Sequence, residues 1–374
     1  MTRQKYIAAD CRKINYSGRI DFSCPKSPML IYAGSSLRFR FTGSHLSVIV
    51  SSFSFHCDIK IGYVLDGKEG TLTIDKNRLS YFDDNSELCD ICFNKRISSA
   101  ELEIPVDSDT MIHDFILFKR MGGTHLMTFE GAFIDESGDI TDQPPLPVRK
   151  LEFYGDSVSC GSVCEILECT GSIDPSGDTA QYDNAWHSFP MITGRLLNAQ
   201  VHNISQGGMA VLNGTGYCFG PGFPGLETIY SELQYMSYYP ESRWNFSDYI
   251  PDAVVIALGQ NDSHCEGRED NDIHDSEFRD RWKSAYKTIL RDLMQKYPDS
   301  VFILTMTILY HNSEWDKAID EIVSEMNSDR IYRFRFRRNG KGTPGHPRIP
   351  EQEEMACELA EFLNSFGNRI WKNQ

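Results

Sequence analysis

The first 138 residues carry short runs that alternate in places between apolar and polar positions, the period of two expected of strands with one buried face. Leu37–Phe41, Leu46–Ser51, Asp58–Val64, Thr71–Ile74 and Phe115–Phe118 are such runs, β-branched or aromatic and separated by Gly, Asp, Ser and Asn turns. Strands this short and this closely spaced predict an all-β sandwich of jelly-roll type over residues 1–138. Residues 139–149 hold Pro144, Pro145 and Pro147 and read as a stiff linker.

From residue 150 to residue 374 the rhythm changes. Strand-like runs at Lys150–Tyr154, Ala199–Ile204, Ala253–Leu258, Val301–Met306 and Ile331–Phe336 alternate with helical patterns near Trp186–Leu197, Ser276–Tyr297, Ser313–Asn327 and Pro350–Phe366. In the last helix Met355, Leu359, Phe362 and Leu363 form one apolar stripe. Such alternation predicts an α/β/α domain with a mostly parallel sheet, whose ligands sit beyond the carboxyl ends of the strands.

Composition agrees with two packed domains: 374 residues exceed what one core usually holds, and 40% are hydrophobic and 12% aromatic. The net charge of −16 disfavours nucleic acid and anionic membrane as partners and suits a neutral substrate. The first residues, Met1 to Asp10, have no apolar segment of leader length, and no window approaches a membrane span, so a cytoplasmic location is expected. An acidic two-domain chain is compatible with a homodimer, although nothing specifies an interface. The eleven cysteines are odd in number, and neither Cys160/Cys164 nor Cys89/Cys92 is followed by a second pair at zinc spacing, so free thiols are expected.

Four features fall where a site would lie. Phe153-Tyr154 runs into Gly155-Asp156-Ser157, a strand end that can present one hydroxyl, although Asp-Ser is also ordinary turn chemistry. Asn203-Ile204-Ser205-Gln206-Gly207-Gly208 follows the next strand, where paired glycines let a backbone N–H approach a ligand. Gly259-Gln260-Asn261-Asp262 follows the most apolar strand and offers a side-chain amide or, alternatively, a helix cap. Gly342-Thr343-Pro344-Gly345-His346-Pro347 precedes the final helix and holds a histidine suited to general-base work.

In this order the four features resemble the SGNH, or GDSL, hydrolase superfamily, over residues from about 145 to 372. With a β-sandwich ahead of it, and with the segment from Asp183-Asn184-Ala185-Trp186 to Leu197-Asn198-Ala199, the chain resembles carbohydrate esterase family two. The resemblance implies removal of O-acetyl groups from plant oligosaccharides of xylan or mannan type, with neither a metal nor an organic cofactor. Ser157 would be the nucleophile and His346 the base, and Ser157, Gly207 or Gly208, and Asn261 would line the oxyanion hole; Gln206 is a further candidate for the backbone donor. The family usually has an aspartate two or three residues before the histidine, where this chain has Pro344 and Thr343. A Ser-His dyad oriented by carbonyls of the Thr-Pro-Gly loop is therefore expected, with a carboxylate from elsewhere, such as Asp262, left open. The tryptophan common beside the histidine is replaced by Gly345, so sugar stacking falls to Trp186, Trp244 or Tyr217, and His264 is a candidate pocket residue. Rival readings are an esterase or lysophospholipase for other acyl esters, and a non-catalytic carbohydrate-binding protein.

Overall fold

The computed structural model describes residues 4–53, 58–74, 98–106, 112–217, 224–235, 243–265 and 269–371. The N-terminal half is two antiparallel sheets packed face to face. One runs Ile20–Asp21, Met29–Leu30, Leu126–Asp135, Leu46–Phe53 and Ser98–Ile104, with Gln4–Ala8 paired to Leu126–Asp135. The other runs Ile140–Thr141, Ser36–Thr42, Ile112–Lys119, Ile59–Leu65 and Lys68–Ile74, with Asn15–Ser17 on Ser36–Thr42. The alternation in sequence is the alternation of faces: Leu37, Phe39 and Phe41 are fully buried while Arg38 and Arg40 point outward onto Asp114.

The linker is shorter than its composition suggests. Ile140 and Thr141 pair with Phe41 and Arg40 and so belong to the sandwich, and Arg149 already belongs to the next sheet. Proline blocks pairing only where it stands, which leaves the preceding Ile-Thr free to join an edge.

The second half is a five-stranded parallel sheet in the order Ala199–Ser205, Arg149–Gly155, Ala253–Ala257, Val301–Thr305, Ile331–Arg333. Both faces are covered, which is why its strands read as unbroken apolar runs. Trp282, Leu290 and Ile319 from the helices Ser276–Lys296 and Ser313–Met326 pack on one face. Phe189, Ile192, Met355 and Leu359 from Phe189–Leu196 and Ile349–Ser365 pack on the other. The strand order reverses at Arg149–Gly155, the strand that ends in Gly-Asp-Ser.

The domains are locked by a buried cation. Arg19 of the sandwich reaches the α/β half, donating to the carbonyls of Tyr230 and Glu232 and to Tyr154 Oη at 2.9 Å, with Glu152 at 3.9 Å. Among the described residues no helix is long and apolar enough to cross a membrane.

Candidate active site

The strand Arg149–Gly155 stops because Asp156 turns extended and caps the short helix Ser157–Cys160, its Oδ1 accepting the Val158 N–H at 3.0 Å. Ser157 is thereby the first helical residue, where a backbone N–H has no partner within the helix. Its hydroxyl Oγ lies 2.8 Å from His346 Nε2. These two residues are 189 apart in sequence and are brought together by the sheet and the final loop.

The expectation of a histidine without a carboxylate is corrected. Asp174 Oδ2 lies 2.5 Å from His346 Nδ1, and Asp174 Oδ1 accepts the His346 backbone N–H at 3.0 Å. Arg348, fully buried, donates to the same Oδ1 at 2.8 Å and to the His346 carbonyl at 2.6 Å. Burial alone would raise the Asp174 carboxyl, but the His346 ring and the Arg348 guanidinium hold it well below the usual carboxylate range. The Thr343 carbonyl, expected to orient the ring, instead accepts the Tyr310 N–H at 2.9 Å.

Asp262 does not reach the histidine either. It is completely buried, and its two oxygens accept the N–H groups of Val211 and Leu212, each at 2.8 Å, with Thr215 Oγ1 at 3.1 Å. It shapes the loop that follows the paired glycines. Burial pushes its carboxyl up to about 6 despite these bonds.

Of the three candidate backbone donors, the Gln206 N–H is engaged by the Gly155 carbonyl at 3.2 Å. Gly207 is the one against the serine: a Cβ added there would lie 3.8 Å from Ser157 Cβ. Gly208 turns away with φ +77°, its position so close to the Tyr217 backbone that a Cβ would meet it at 2.7 Å. Asn261 stands in the turn Gln260–Ser263 after the strand Ala253–Ala257. Its Nδ2 donates to the Met209 carbonyl at 3.1 Å and lies 3.5 Å from Asp156 Oδ2, which Gln260 also bonds at 2.9 Å.

Ser157, Gly207, Gly208, Asn261 and His346 all line one cavity of about 750 Å³ at the carboxyl ends of the strands. Thr124 and His125 of the sandwich complete its wall, and Asp178, Asp183 and Tyr217 contribute to it. Asp183 also accepts the Val163 N–H at 2.8 Å, and burial pushes its carboxyl up to about 7.

The tryptophans do not line this cavity. Trp186 stacks on Phe118 of the sandwich with ring centres 5.0 Å apart and takes the Arg195 guanidinium at 4.3 Å. Trp244 packs under Arg19, whose guanidinium lies 5.0 Å from its ring. Both aromatics were claimed by the domain contact, where large rings bury the most area. His264 stands behind the wall, its ring stacked on Tyr217. Cys160 and Cys164 are buried and form no disulfide, and Cys89 and Cys92 lie outside the described residues. No group of His, Cys, Asp and Glu able to hold a metal ion occurs among the described residues.

Comparison with known proteins agrees with this architecture. Residues 16–86 match the family described as Carbohydrate esterase 2 N-terminal. The chain is 27% identical over 376 residues to the cellulase/esterase CelE of Acetivibrio thermocellus, covering 95% of this chain and 40% of that protein. It is 26% identical over 227 residues to an acetylxylan esterase / glucomannan deacetylase of Cellvibrio japonicus, covering 59% of this chain and 58% of that protein. The chain thus spans about half the length of the curated relatives it matches. Its fold matches that of a family two carbohydrate esterase from Clostridium thermocellum in complex with cellohexaose, with a TM-score of 0.74, 24% identity and coverage of 96% of this chain and 100% of that one. By sequence and by fold, this chain is similar to carbohydrate esterases of family two.

Proposed function

We propose that the chain is a serine esterase that removes O-acetyl groups from plant-derived oligosaccharides of xylan or mannan type. The observation that carries this reading is the line Asp174–His346–Ser157, with 2.5 Å from carboxylate to Nδ1 and 2.8 Å from Nε2 to Oγ. A carboxylate on Nδ1 keeps that nitrogen protonated and leaves Nε2 free to accept the serine proton. The choice of acetyl group and of sugar is supported by the similarity to an acetylxylan esterase / glucomannan deacetylase.

In this reading His346 Nε2 takes the Ser157 proton as Oγ attacks the acetyl carbonyl carbon. The tetrahedral oxyanion is met by the N–H groups of Ser157 and Gly207 and by Asn261 Nδ2, each such donor worth about 3–4 kcal/mol in the transition state. Collapse breaks the bond to the sugar oxygen, and His346 returns its proton to that oxygen. Water, deprotonated by His346, then attacks acetyl-Ser157, and collapse breaks the bond to Oγ, which takes the proton back from His346 as acetate leaves. Asp174 stabilises the imidazolium in both halves, and Arg348 keeps Asp174 ionised.

Acetate release from acetylated xylo- and manno-oligosaccharides by wild type, Ser157→Ala and His346→Ala tests this. Release by wild type that both variants abolish is expected. No release by wild type would refute the reading, and turnover of long-chain acyl esters instead would favour the lysophospholipase alternative.

A further inference from the structure

We infer that Val163 is the wall that limits the acyl group on Ser157 to acetyl, an assignment that rests on the esterase reading and adds which residue sets acyl length. Val163 stands at φ +57°, in the left-handed region that a β-branched residue rarely enters. It lines the cavity that holds Ser157, is only 5% exposed, and among the described residues joins none of the apolar cores. A backbone held against its preference at a cavity wall, with no core packing to account for it, points to work done at that wall.

The chain after the nucleophile folds back over it. Gly161 ends the helix Ser157–Cys160 at φ +70°, and the Ser162 N–H donates to the Ser157 carbonyl at 3.0 Å. Ser162 Oγ lies 3.9 Å from where a Cβ on Gly207 would stand, so this turn lies against the serine and the oxyanion donor together. Val163 follows directly, and the neighbouring segment clamps the turn. Asp183 Oδ1 accepts the Val163 N–H at 2.8 Å, the Asn184 N–H donates to the Gly161 carbonyl at 3.0 Å, and Arg120 Nε donates to the Asp183 carbonyl at 3.0 Å. These bonds keep Val163 left-handed, and that conformation sets where its Cβ points. A wall fixed in this way does not retreat from a longer acyl chain.

The tetrahedral carbon has four directions. Oγ occupies one, the oxyanion takes that of Gly207 and Asn261, and the sugar oxygen takes that of His346, which must return its proton. The acetyl methyl takes the fourth and needs an apolar surface close to Ser157. Among the described residues, Leu309 and Val163 are the branched aliphatic ones on the cavity wall. Leu309 pairs with Thr343 of the loop that carries His346, on the sugar's side, whereas Val163 belongs to the serine's own turn. The whole cavity of about 750 Å³ holds far more than an acetyl group, so the limit is set locally.

Relative kcat/KM on 4-nitrophenyl acetate, propionate and butyrate tests this. In wild type, acetate should exceed butyrate by about 100-fold or more, since each added methylene meets the wall. Val163→Gly removes the side chain and suits the φ of +57°, and it should cut that ratio at least about tenfold. Val163→Ala should cut it by less, and it reads the same ratio if the glycine variant does not fold. A substitution that merely loosens the fold lowers both esters together and leaves the ratio where it was. A wild type that hydrolyses butyrate as fast as acetate, or a ratio within about twofold of wild type in both variants, would overturn the wall and leave the esterase reading standing. No hydrolysis of any of these esters by wild type would overturn both.

Discussion

Asp174 grips His346 at two points: Oδ2 lies 2.5 Å from ring Nδ1 and Oδ1 accepts the backbone N–H at 3.0 Å, across 172 residues of chain. Fixing the backbone and the ring by one carboxylate sets the direction in which Nε2 points. In Asp174→Asn the side chain keeps its size but can offer Nδ1 an N–H instead of an acceptor. The imidazole is then held in the wrong tautomer, and kcat should fall about 10⁴-fold with KM little changed. Steady-state kinetics on 4-nitrophenyl acetate check this; activity within about tenfold of wild type would show that the carboxylate is dispensable.

The same contact explains Gly345. A Cβ there would lie 2.5 Å from the Ser172 carbonyl oxygen and 2.8 Å from the Asp174 nitrogen, both backbone atoms that cannot swing aside. Gly345→Ala should therefore displace the acid segment while leaving Ser157 and His346 in the chain, with kcat lowered at least about tenfold. A crystal structure of the variant with Asp174 still on His346, or full activity, would contradict this.

Much of this site was legible in sequence because three of its blocks follow strands of the parallel sheet, and strand ends converge by topology. Ser157, Gly207 and Asn261 come together for that reason, and His346 joins them on the loop that precedes the last helix. Asp174 was not legible: it lies in a loop of ordinary turn residues, Gly171-Ser172-Ile173-Asp174-Pro175, that no periodicity marks. The available signal was Gly345, a residue without a side chain beside the histidine, which leaves room for another segment to enter. Trp186 and Trp244 misled because ring size speaks equally for a sugar platform and for a domain contact. Asp262 next to Asn261 had the right chemistry but faces the Val211–Thr215 loop. The sandwich was readable from alternation alone; that its loop reaches the cavity through Thr124 and His125 depends on packing between domains, which has no local pattern.

Gln206 is the joint between those domains. Its Oε1 accepts the Thr124 N–H at 2.9 Å and its Nε2 donates to the Gly207 carbonyl at 3.1 Å. Gln206→Leu leaves a buried N–H unsatisfied, so stability should drop about 1–3 kcal/mol in urea unfolding. It also frees the Gly207 peptide, so kcat should fall more than KM rises. Equal stability and kcat would mean that the sandwich only adjoins the site.

Stability should also depend on pH in an unusual direction. Asp156 and Asp262 are pushed up to about 6 and Asp183 to about 7 by burial, above their value in an unfolded chain. Between about pH 4 and 7 the folded state then holds protons that the unfolded state has lost, so these groups favour folding at low pH and less as pH rises. Asp174 acts oppositely, its contribution disappearing only well below pH 4, where the folded carboxylate finally protonates. Urea midpoints should decline from about pH 5 to pH 8. Asp183→Asn, which keeps an acceptor for the Val163 N–H, should flatten part of that decline; a midpoint that rises with pH through this range would contradict it.

The most direct test of the central claim is the mass of the protein during turnover. Acid-quenched wild type mixed with acetylated xylo-oligosaccharide should carry one acetyl group on Ser157, accumulating further if deacylation is slowed in D₂O, and Ser157→Ala should carry none and release no acetate. Acetate released at the wild-type rate by Ser157→Ala, or an acetyl group found on another residue, would contradict the account.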